Sequence, residues 1–289
     1  MKRLPALAAA ATGVQVGSAM VATRLVVDQT GPASLALLRY VIGLACLLPV
    51  LALIAPRPRF ARRDLLGIGV LGIVQFGVLI ALLNYGLRTV PSARAALIFA
   101  TFPLLTLILA AALGRERLTA PKLAGVALTI AGVGAALGER ALSGGGAGAH
   151  RWIGEAAVLA AALCGAACSV LYRPYLEKYP ALPVSAFAML ASVAFLAVWA
   201  AAEGFFASAP RFSPSGWLAV LFIGVGSGVG YSLWLWALGR ASPTEVTVFL
   251  SLSPLTAAVA GALFLGEPIS VGSIVGTVCV AFGLWLAYR

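Results

Sequence analysis

One stretch of sequence, which occurs twice, decides the fold. Residues 99–118 read FATFPLLTLILAAALGRERL, and residues 250–269, which lie 151 positions later, read LSLSPLTAAVAGALFLGEPI. Each copy has a proline-leucine pair inside an apolar run and a glutamate that closes the run. The matching residues are Pro103 and Pro254, Leu104 and Leu255, and Glu116 and Glu267. Two apolar runs with the same internal break indicate a duplicated unit.

The same offset aligns residues along most of the chain without a gap. The further matches are Pro32 with Pro183, Ser34 with Ser185, Gly77 with Gly228, Leu87 with Leu238, Gly125 with Gly276, and Gly132 with Gly283. Leucines match by chance in any two apolar segments, but prolines and glycines at one fixed offset do so rarely. We therefore predict two repeats, residues 1–142 and 151–289, joined by a glycine-rich linker at 143–150.

The composition indicates that most of the chain lies in a lipid bilayer. Of the 289 residues, 62% are hydrophobic and 10% are charged, with a mean hydropathy of +1.03, whereas soluble domains are about 25% charged. A helix needs about 20 apolar residues to cross a bilayer, so ten crossings use the whole chain and leave no soluble domain. The predicted spans are 5–26, 32–55, 65–88, 92–113, 119–138, 152–173, 183–204, 214–238, 243–265 and 269–288.

The predicted fold class is therefore an all-α integral membrane protein with ten transmembrane helices. Each repeat has five spans, and an odd number makes the second repeat enter the membrane from the opposite side. The basic residues agree with this topology. With the amino terminus in the cytoplasm, inner segments hold thirteen lysines and arginines and outer segments hold six. This bias predicts both termini in the cytoplasm of a bacterium, with the chain in its inner membrane.

The net charge of +11 would suggest nucleic acid as the partner of a soluble protein. Here the basic residues lie in short loops between apolar runs, where membrane lipid and insertion bias explain them. The four cysteines lie inside apolar runs, and the single histidine, His150, lies in the linker. We expect no metal site, no cofactor and no nucleic-acid partner, and no enzymatic Ser-His or HExxH arrangement is found.

Three local motifs suggest a family. Residues 36–40 read ALLRY, the Pro-Leu pair recurs at mid-span, and residues 265–267 read LGE before the last helix. The sequence resembles the drug/metabolite transporter superfamily in its ten-helix, EamA-type branch. The first copy departs from the usual Leu-Gly-Glu by the insertion of Arg115. The resemblance implies export of small metabolites by alternating access, and within the superfamily the sequence most resembles the amino-acid exporters, including those that handle aromatic amino acids and methyl viologen.

The paired helix breaks predict the substrate site. Pro103 and Pro254 each remove one backbone hydrogen bond and free the carbonyl four residues earlier, those of Phe99 and Leu250. Equivalent breaks in both repeats indicate a site near the bilayer midplane, although a plain kink is the alternative. The hydroxyl residues beside these breaks are candidates for the same cavity: Thr101, Ser251 and Ser253.

Other candidates are polar or aromatic residues at mid-span. Arg39 lies about 10 Å below the outer end of the second helix at 1.5 Å per residue and would attract a substrate carboxylate, or would instead be a structural arginine. Gln15 and Gln75 are polar at similar depth. Tyr231 and Trp234 follow the glycine run 224–230, and their ring faces would hold an ammonium group.

Coupling to protons has little support in the sequence. Every acidic residue lies in a loop or near the end of a span, so no carboxylate is predicted at mid-membrane. Glu155 and Glu203 are the fallback candidates for a titrating group. The predicted function is export of amino acids with broad specificity; the alternatives are a proton-coupled exporter of drugs or organic cations and a carrier of sugars or nucleotide sugars.

Overall fold

The chain is helical throughout the part that the structure describes. A computed structural model covers residues 3–53, 60–115, 119–142, 149–208 and 210–287, and these ranges contain ten helices and no strand. The helices are α1 (Arg3–Arg24), α2 (Pro32–Leu53), α3 (Arg62–Leu87), α4 (Ser92–Ala112), α5 (Ala120–Leu142), α6 (Ala149–Lys178), α7 (Ala181–Ala202), α8 (Pro214–Leu238), α9 (Glu245–Leu265) and α10 (Val271–Ala287).

The predicted all-α membrane fold is confirmed. Eight of these helices are long and apolar enough to cross a bilayer. The other two, α5 and α10, carry shorter apolar stretches at Ala120–Gly134 and Val271–Gly283. They are the last helix of each repeat. We call the end of the bundle where α1 begins the amino-terminal face, and the end where α1 finishes the opposite face.

The helix contacts come in equivalent pairs. Three helix contacts each have an equivalent in which both helices are replaced by their counterparts in the other repeat. The contact of α2 with α8 is matched by that of α7 with α3. The contacts of α1 with α8 and with α9 are matched by those of α6 with α3 and with α4. Two helices, α2 and α5, pack against their own counterparts, α7 and α10. This exchange of helices n and n+5 is what an approximate two-fold axis between two five-helix repeats produces.

The crossing of α5 and α10 shows the duplication at the level of atoms. A Cβ added at Gly132 would lie 2.9 Å from the carbonyl oxygen of Gly276. A Cβ added at Gly283 would lie 2.6 Å from the carbonyl oxygen of Gly125. The offset of 151 residues exchanges these two contacts. The aligned glycines therefore match because each repeat needs them for the same close helix approach.

Three helices are irregular at mid-span. Helix α3 contains a π-helical turn at Ile73–Val78. Helix α4 is interrupted between Ser92–Phe99 and Phe102–Ala112, and in α9 a 3₁₀ turn at Val248–Ser251 precedes Leu252–Leu265. The prolines at 103 and 254 lie in the first turn after each break, where a missing N–H leaves no intrahelical bond unmade. The predicted breaks in α4 and α9 are confirmed.

The structure corrects several predicted boundaries. Helix α6 continues through Pro174 to Lys178, beyond the predicted end at 173, and α3 begins at Arg62 rather than at 65. Residues 149 and 150, assigned to the linker, form the first turn of α6. The rest of the linker, 143–148, and Glu116 lie outside the described residues.

Candidate functional site

A cavity of about 30 Å³ lies between the helices near the middle of the bundle. Helices of both repeats form its wall, and both interrupted helices contribute to it. Its lining residues are Thr12, Val16, Ala19, Met20 and Thr23 of α1, Arg39 of α2, Gln75, Ile80 and Leu83 of α3, Phe99 and Phe102 of α4, Tyr231 and Trp234 of α8, and Leu250 of α9. We call it the central cavity. Its volume accommodates about two water molecules, so a substrate requires the helices to separate.

The walls of the central cavity follow the approximate two-fold axis. Under the offset of 151 residues, Ile80 corresponds to Tyr231, Leu83 to Trp234, and Phe99 to Leu250. All six side chains line the cavity. In α8 the pair is aromatic and lies toward the amino-terminal face, whereas in α3 the pair is aliphatic and lies toward the opposite face. The two repeats thus give the cavity one aromatic and one aliphatic end.

Arg39 supplies the charge of the central cavity. Its side chain is 4% exposed, and its Nε donates a hydrogen bond to Ser227 Oγ, whose hydroxyl donates to the Ile223 carbonyl at 2.6 Å. The guanidinium carbon lies 5.8 Å from the centre of the Tyr40 ring. Among the described residues no carboxylate pairs with Arg39. A buried cation without a counter-ion is costly, and here it faces a cavity that a substrate anion could enter.

Aromatic rings pack along the amino-terminal side of the cavity. Trp234, 3% exposed, meets Phe102 edge-on with ring centres 6.1 Å apart. Tyr231 meets Phe76 edge-on at 4.7 Å and lies 6.1 Å from Tyr40. These contacts join α2, α3, α4 and α8 across the two repeats.

The two glutamines predicted to line the cavity have different positions. Gln75 is 4% exposed and lines it, and its Oε1 has no hydrogen-bond partner among the described residues. Gln15 of α1 is half-buried against α8. A Cβ added at Gly226 would lie 3.0 Å from the Nε2 of Gln15, and a Cβ added at Gly230 would lie 3.0 Å from its Oε1. Gln15 packs over these two glycines and is not among the residues that line the cavity.

The hydroxyl residues at the helix breaks bond to the backbone. Thr101 Oγ1 donates to the Ile98 carbonyl at 2.8 Å, and Ser253 Oγ donates to the Leu250 carbonyl at 2.7 Å. The expectation of a free carbonyl at Leu250 is therefore wrong, because a side chain of the same helix occupies it. Of the predicted residues, Arg39, Gln75, Phe99, Tyr231 and Trp234 meet in the central cavity, and the following do not line it: Gln15, Thr101, Pro103, Ser251, Ser253 and Pro254.

Most of the lining residues that were not predicted could have been recognised from a pattern in the sequence. Thr12, Val16, Ala19 and Thr23 follow one face of α1 at spacings of three and four residues. Ile80 and Leu83 could have been found by applying the offset of 151 to Tyr231 and Trp234. Phe102 had no such signal, since its equivalent, Ser253, is not among the residues that line the cavity.

Two arginines link helix ends on the opposite face. Arg24, the last residue of α1, donates to the carbonyls of Leu87 and Arg88, the latter at 2.8 Å. Arg88 donates in turn to the carbonyls of Val27 at 3.3 Å and Thr30 at 2.7 Å. The end of α3 and the α1–α2 loop are thereby held together beyond the level of Thr23.

Two glutamates of the second repeat cap helices of the first repeat on this face. Glu203 accepts hydrogen bonds from the backbone N–H of Ala33 and Ser34, at 3.0 and 2.8 Å, and from Ser34 Oγ at 2.7 Å. Glu267 accepts from the N–H of Ser92 at 3.0 Å and from its hydroxyl. A carboxylate at a helix amino terminus satisfies unpaired donors and the helix dipole. The beginnings of α2 and α4 are thus fixed to the other repeat.

The Leu-Gly-Glu motif explains how Glu267 reaches α4. Gly266 ends α9 with φ of 62°, a left-handed conformation that glycine adopts without strain. The chain turns back, and the Glu267 N–H bonds to the Gly261 carbonyl at 3.1 Å. The carboxylate then lies beside Ser92 and 3.8 Å from Arg24 Nε. Arg94 and Glu155 form a further ion pair between the repeats, at 3.6 Å.

The amino-terminal face is more open in its described part. It contains a crevice of about 1190 Å³ between α1, α2, α8 and the α6–α7 connection. Asp64 at the beginning of α3 links the repeats here, because its carboxylate accepts from Tyr179 Oη at 2.8 Å and from Lys178 Nζ at 3.4 Å. We call these contacts the Asp64 link.

Comparison with known sequences places the chain in a family. The sequence profile of the EamA-like transporter family matches residues 3–137 and, a second time, residues 152–289. The chain belongs to the EamA-like transporter family. The resemblance to the drug/metabolite transporter superfamily is thereby confirmed over both repeats, and the chain is a multi-pass membrane transporter.

Relatives of this EamA-like transporter include one with a named substrate. A probable terminal-alkyne amino-acid exporter of Streptantibioticus cattleyicolor is 32% identical, over 96% of this chain and 91% of that protein. An uncharacterized transporter of Archaeoglobus fulgidus is 26% identical, over 94% of each. A solved crystal structure with 22% identity superimposes with a TM-score of 0.74, over 99% of this chain and 97% of that one. This last likeness supports the fold.

Proposed function

We propose that this transporter exports amino acids with broad specificity across the bacterial inner membrane. The central cavity is the substrate site, and it is exposed to each face in turn. The observation that carries the proposal is Arg39, a buried cation that lines the cavity with no carboxylate partner among the described residues. A substrate carboxylate would supply the missing negative charge.

The chemistry of the cavity favours this substrate class over the alternatives. Organic cations would be repelled by Arg39, and the described lining contains no carboxylate to attract them. Phosphate-bearing substrates such as nucleotide sugars carry more negative charge than one arginine neutralises. Rings such as Trp234 and Tyr231 suit the apolar side chains of amino acids. The likeness to a probable amino-acid exporter supports the same class.

The charge bias of the loops supports an assignment of the two faces to the two sides of the membrane. Thirteen basic residues against six favour cytoplasmic termini, which makes the amino-terminal face, with its crevice, the cytoplasmic face. No acidic side chain lines the described cavity, and Glu155 and Glu203 bind partners on the opposite face. We therefore expect transport without an imposed proton gradient.

Counterflow in liposomes tests the proposal. Purified protein should exchange several labelled amino acids in the absence of a pH gradient. Arg39→Gln removes the only cation of the described lining and should lower the apparent affinity about tenfold to a hundredfold, as expected for a hydrogen-bonded ion. Arg211→Gln, which removes an exposed arginine from a loop, is the matched control and should behave as wild type.

Two outcomes would contradict the proposal. Amino-acid exchange that is unchanged in Arg39→Gln would show that the carboxylate binds elsewhere. Transport of methyl viologen with strict dependence on a proton gradient, and no exchange of amino acids, would favour the organic-cation exporter instead.

A further inference from the structure

The π-helical turn in α3 has no counterpart in the second repeat. At its end the Leu79 N–H bonds to the Val74 carbonyl, five residues back, so the turn is one residue wider than an α-helical turn. The equivalent segment of α8, residues 224–229, is regular α-helix, and Gly226 occupies the position of Gln75. Turns of this kind are concentrated at functional sites. The fold forms without the wide turn in one repeat, so its presence in the other calls for a functional reason.

Gln75 lies within this turn and carries a polar group that the protein leaves unsatisfied. Gln75 lines the central cavity, and its Oε1 is buried with no hydrogen-bond partner among the described residues. A buried acceptor without a partner costs about 1–3 kcal/mol. Seven buried side-chain atoms lack a partner among the described residues, and Gln75 Oε1 is the one of them that belongs to a residue lining the central cavity. An apolar side chain of similar length would avoid that cost. The position therefore indicates a donor that arrives with the substrate.

We propose that Gln75 binds the ammonium group of the substrate while Arg39 binds its carboxylate. This proposal rests on the function proposed above and makes it more specific. Arg39 offers only donors and the amide oxygen of Gln75 is an acceptor, and both line one cavity of about 30 Å³. An α-amino acid presents an acceptor and a donor on a single carbon atom. The pair of residues thus selects zwitterions over other carboxylates.

The selection concerns the head group and leaves the side chain free. An α-keto acid has the same carboxylate, but its keto oxygen would face the oxygen of Gln75 and leave it unpaired. A site built around a hydrogen bond rejects the analogue that lacks the donor far more strongly than an apolar pocket rejects a missing methylene. The aromatic pair Tyr231 and Trp234 and the aliphatic pair Ile80 and Leu83 give the side chain apolar surfaces of two kinds. Narrow selection of the head group is therefore compatible with broad selection of the side chain.

A matched set of competitors tests the proposal. Phenylalanine, phenylpyruvate and phenethylamine share one side chain and differ only in the head group. In counterflow, the wild type should prefer phenylalanine over both analogues. Gln75→Met keeps the length of the side chain and removes its acceptor, so the preference for phenylalanine over phenylpyruvate should fall about tenfold to a hundredfold. Gln29→Met, at an exposed glutamine outside the cavity, should leave that preference unchanged.

A second variant separates the acceptor role from a packing role. Gln75→Glu retains acceptor oxygens, so the preference for phenylalanine over phenylpyruvate should persist even where pairing with Arg39 lowers both rates. Loss of this preference in Gln75→Glu, or its retention in well-folded Gln75→Met, would overturn the assignment of Gln75. A wild type that exchanges neither phenylalanine nor phenylpyruvate would instead contradict the proposed function itself.

Discussion

In the part of the chain that the structure describes, different contacts close the two faces of the bundle. On the opposite face, glutamates of the second repeat cap helices of the first, and the arginines of α1 and the α3 end bind backbone carbonyls around them. On the amino-terminal face the Asp64 link and a hydrogen bond from Arg115 to the Val170 carbonyl, at 2.7 Å, join the repeats beside a crevice of about 1190 Å³. The first set of contacts is largely shielded from water, whereas Lys178 of the second is 48% exposed.

This difference indicates which face opens more easily. Hydrogen bonds to charged groups contribute about 1.5–3 kcal/mol each, and several on the opposite face must break together before that face can separate. The described charged contacts between the repeats on the amino-terminal face are fewer: the hydrogen bonds of Tyr179 with Asp64 and of Arg115 with Val170, and the ion pair of Asp64 with half-exposed Lys178, which contributes at most about 1 kcal/mol. Substrate-free protein should therefore favour a state that is closed at the opposite face. Alternating access requires the energies of the two closed faces to differ by only a few kcal/mol, so small changes at either face should shift the balance.

The largest effect is expected from Glu267→Gln. The change weakens the cap on α4 and removes the negative charge beside Arg24. The closed state of the opposite face should lose about 3 kcal/mol of stabilisation, so this face should open about a hundredfold more often. A single reporter cysteine, Thr23→Cys in a background without the native cysteines, measures this opening. Its labelling by a membrane-impermeant thiol reagent from the opposite-face side should accelerate accordingly.

Glu177→Gln is the control for this experiment. It also removes a glutamate from an ion pair, but Glu177 is 64% exposed and pairs with Arg173 one turn earlier on the same helix. Labelling of the reporter should not change. Equal labelling in the two variants would mean that Glu267 does not hold the opposite face closed.

An intermediate effect is expected at the pair of Arg94 and Glu155. Their side chains are 14% and 7% exposed, and removal of one partner from a buried ion pair is strongly destabilising. Arg94→Met and Glu155→Met should each lower the midpoint temperature of unfolding. The double variant should recover most of the loss. Additive losses in the double variant would show that the two charges do not interact.

The smallest effect is expected at the Asp64 link. Asp64→Asn weakens an ion pair with a half-exposed lysine and keeps a weaker hydrogen bond to Tyr179. The amino-terminal face should therefore open only a few times more often. The same Thr23→Cys reporter, labelled from the amino-terminal side, should detect this change. An increase as large as that of Glu267→Gln at the other face would remove the asymmetry between the two faces.

The fold was predicted well from the sequence because the features that define it, span length and aligned prolines and glycines, can be read from single segments and occur in both repeats. Apolar length gives the spans, and the aligned breaks Pro103 and Pro254 lie at the interruptions of α4 and α9. The aligned glycines of α5 and α10 lie at the crossing of those two helices. The π-helical turn at Ile73–Val78 was not predicted, because no residue type in it marks a widened turn.

The site was predicted only in part, because burial in a bundle depends on which face of a helix turns inward. Arg39 could be found, since an arginine deep in a span is costly unless it faces the interior of the bundle. Trp234 could be found because it lies deeper than the aromatic belt at the membrane interface. Thr101 and Ser253 were candidates for the same cavity; they are not among its lining residues, and their hydroxyls donate to the adjacent backbone, as short polar side chains near a helix break commonly do. The caps formed by Glu203 and Glu267 join residues 169 to 175 positions apart, and no local pattern reports such a pairing.

The seam between α5 and α10 bears on how such a protein could arise. Gly132 meets Gly276 as Gly283 meets Gly125, so each half presents the same patch to the other, as the subunits of a symmetric dimer do. A five-span ancestor inserted in both orientations could have paired with itself through this patch before the gene was doubled. Fusion would then have allowed each half to change separately, which is how one half could acquire the capping Glu203, whose equivalent is Ala52, and the other Gln75 at mid-membrane.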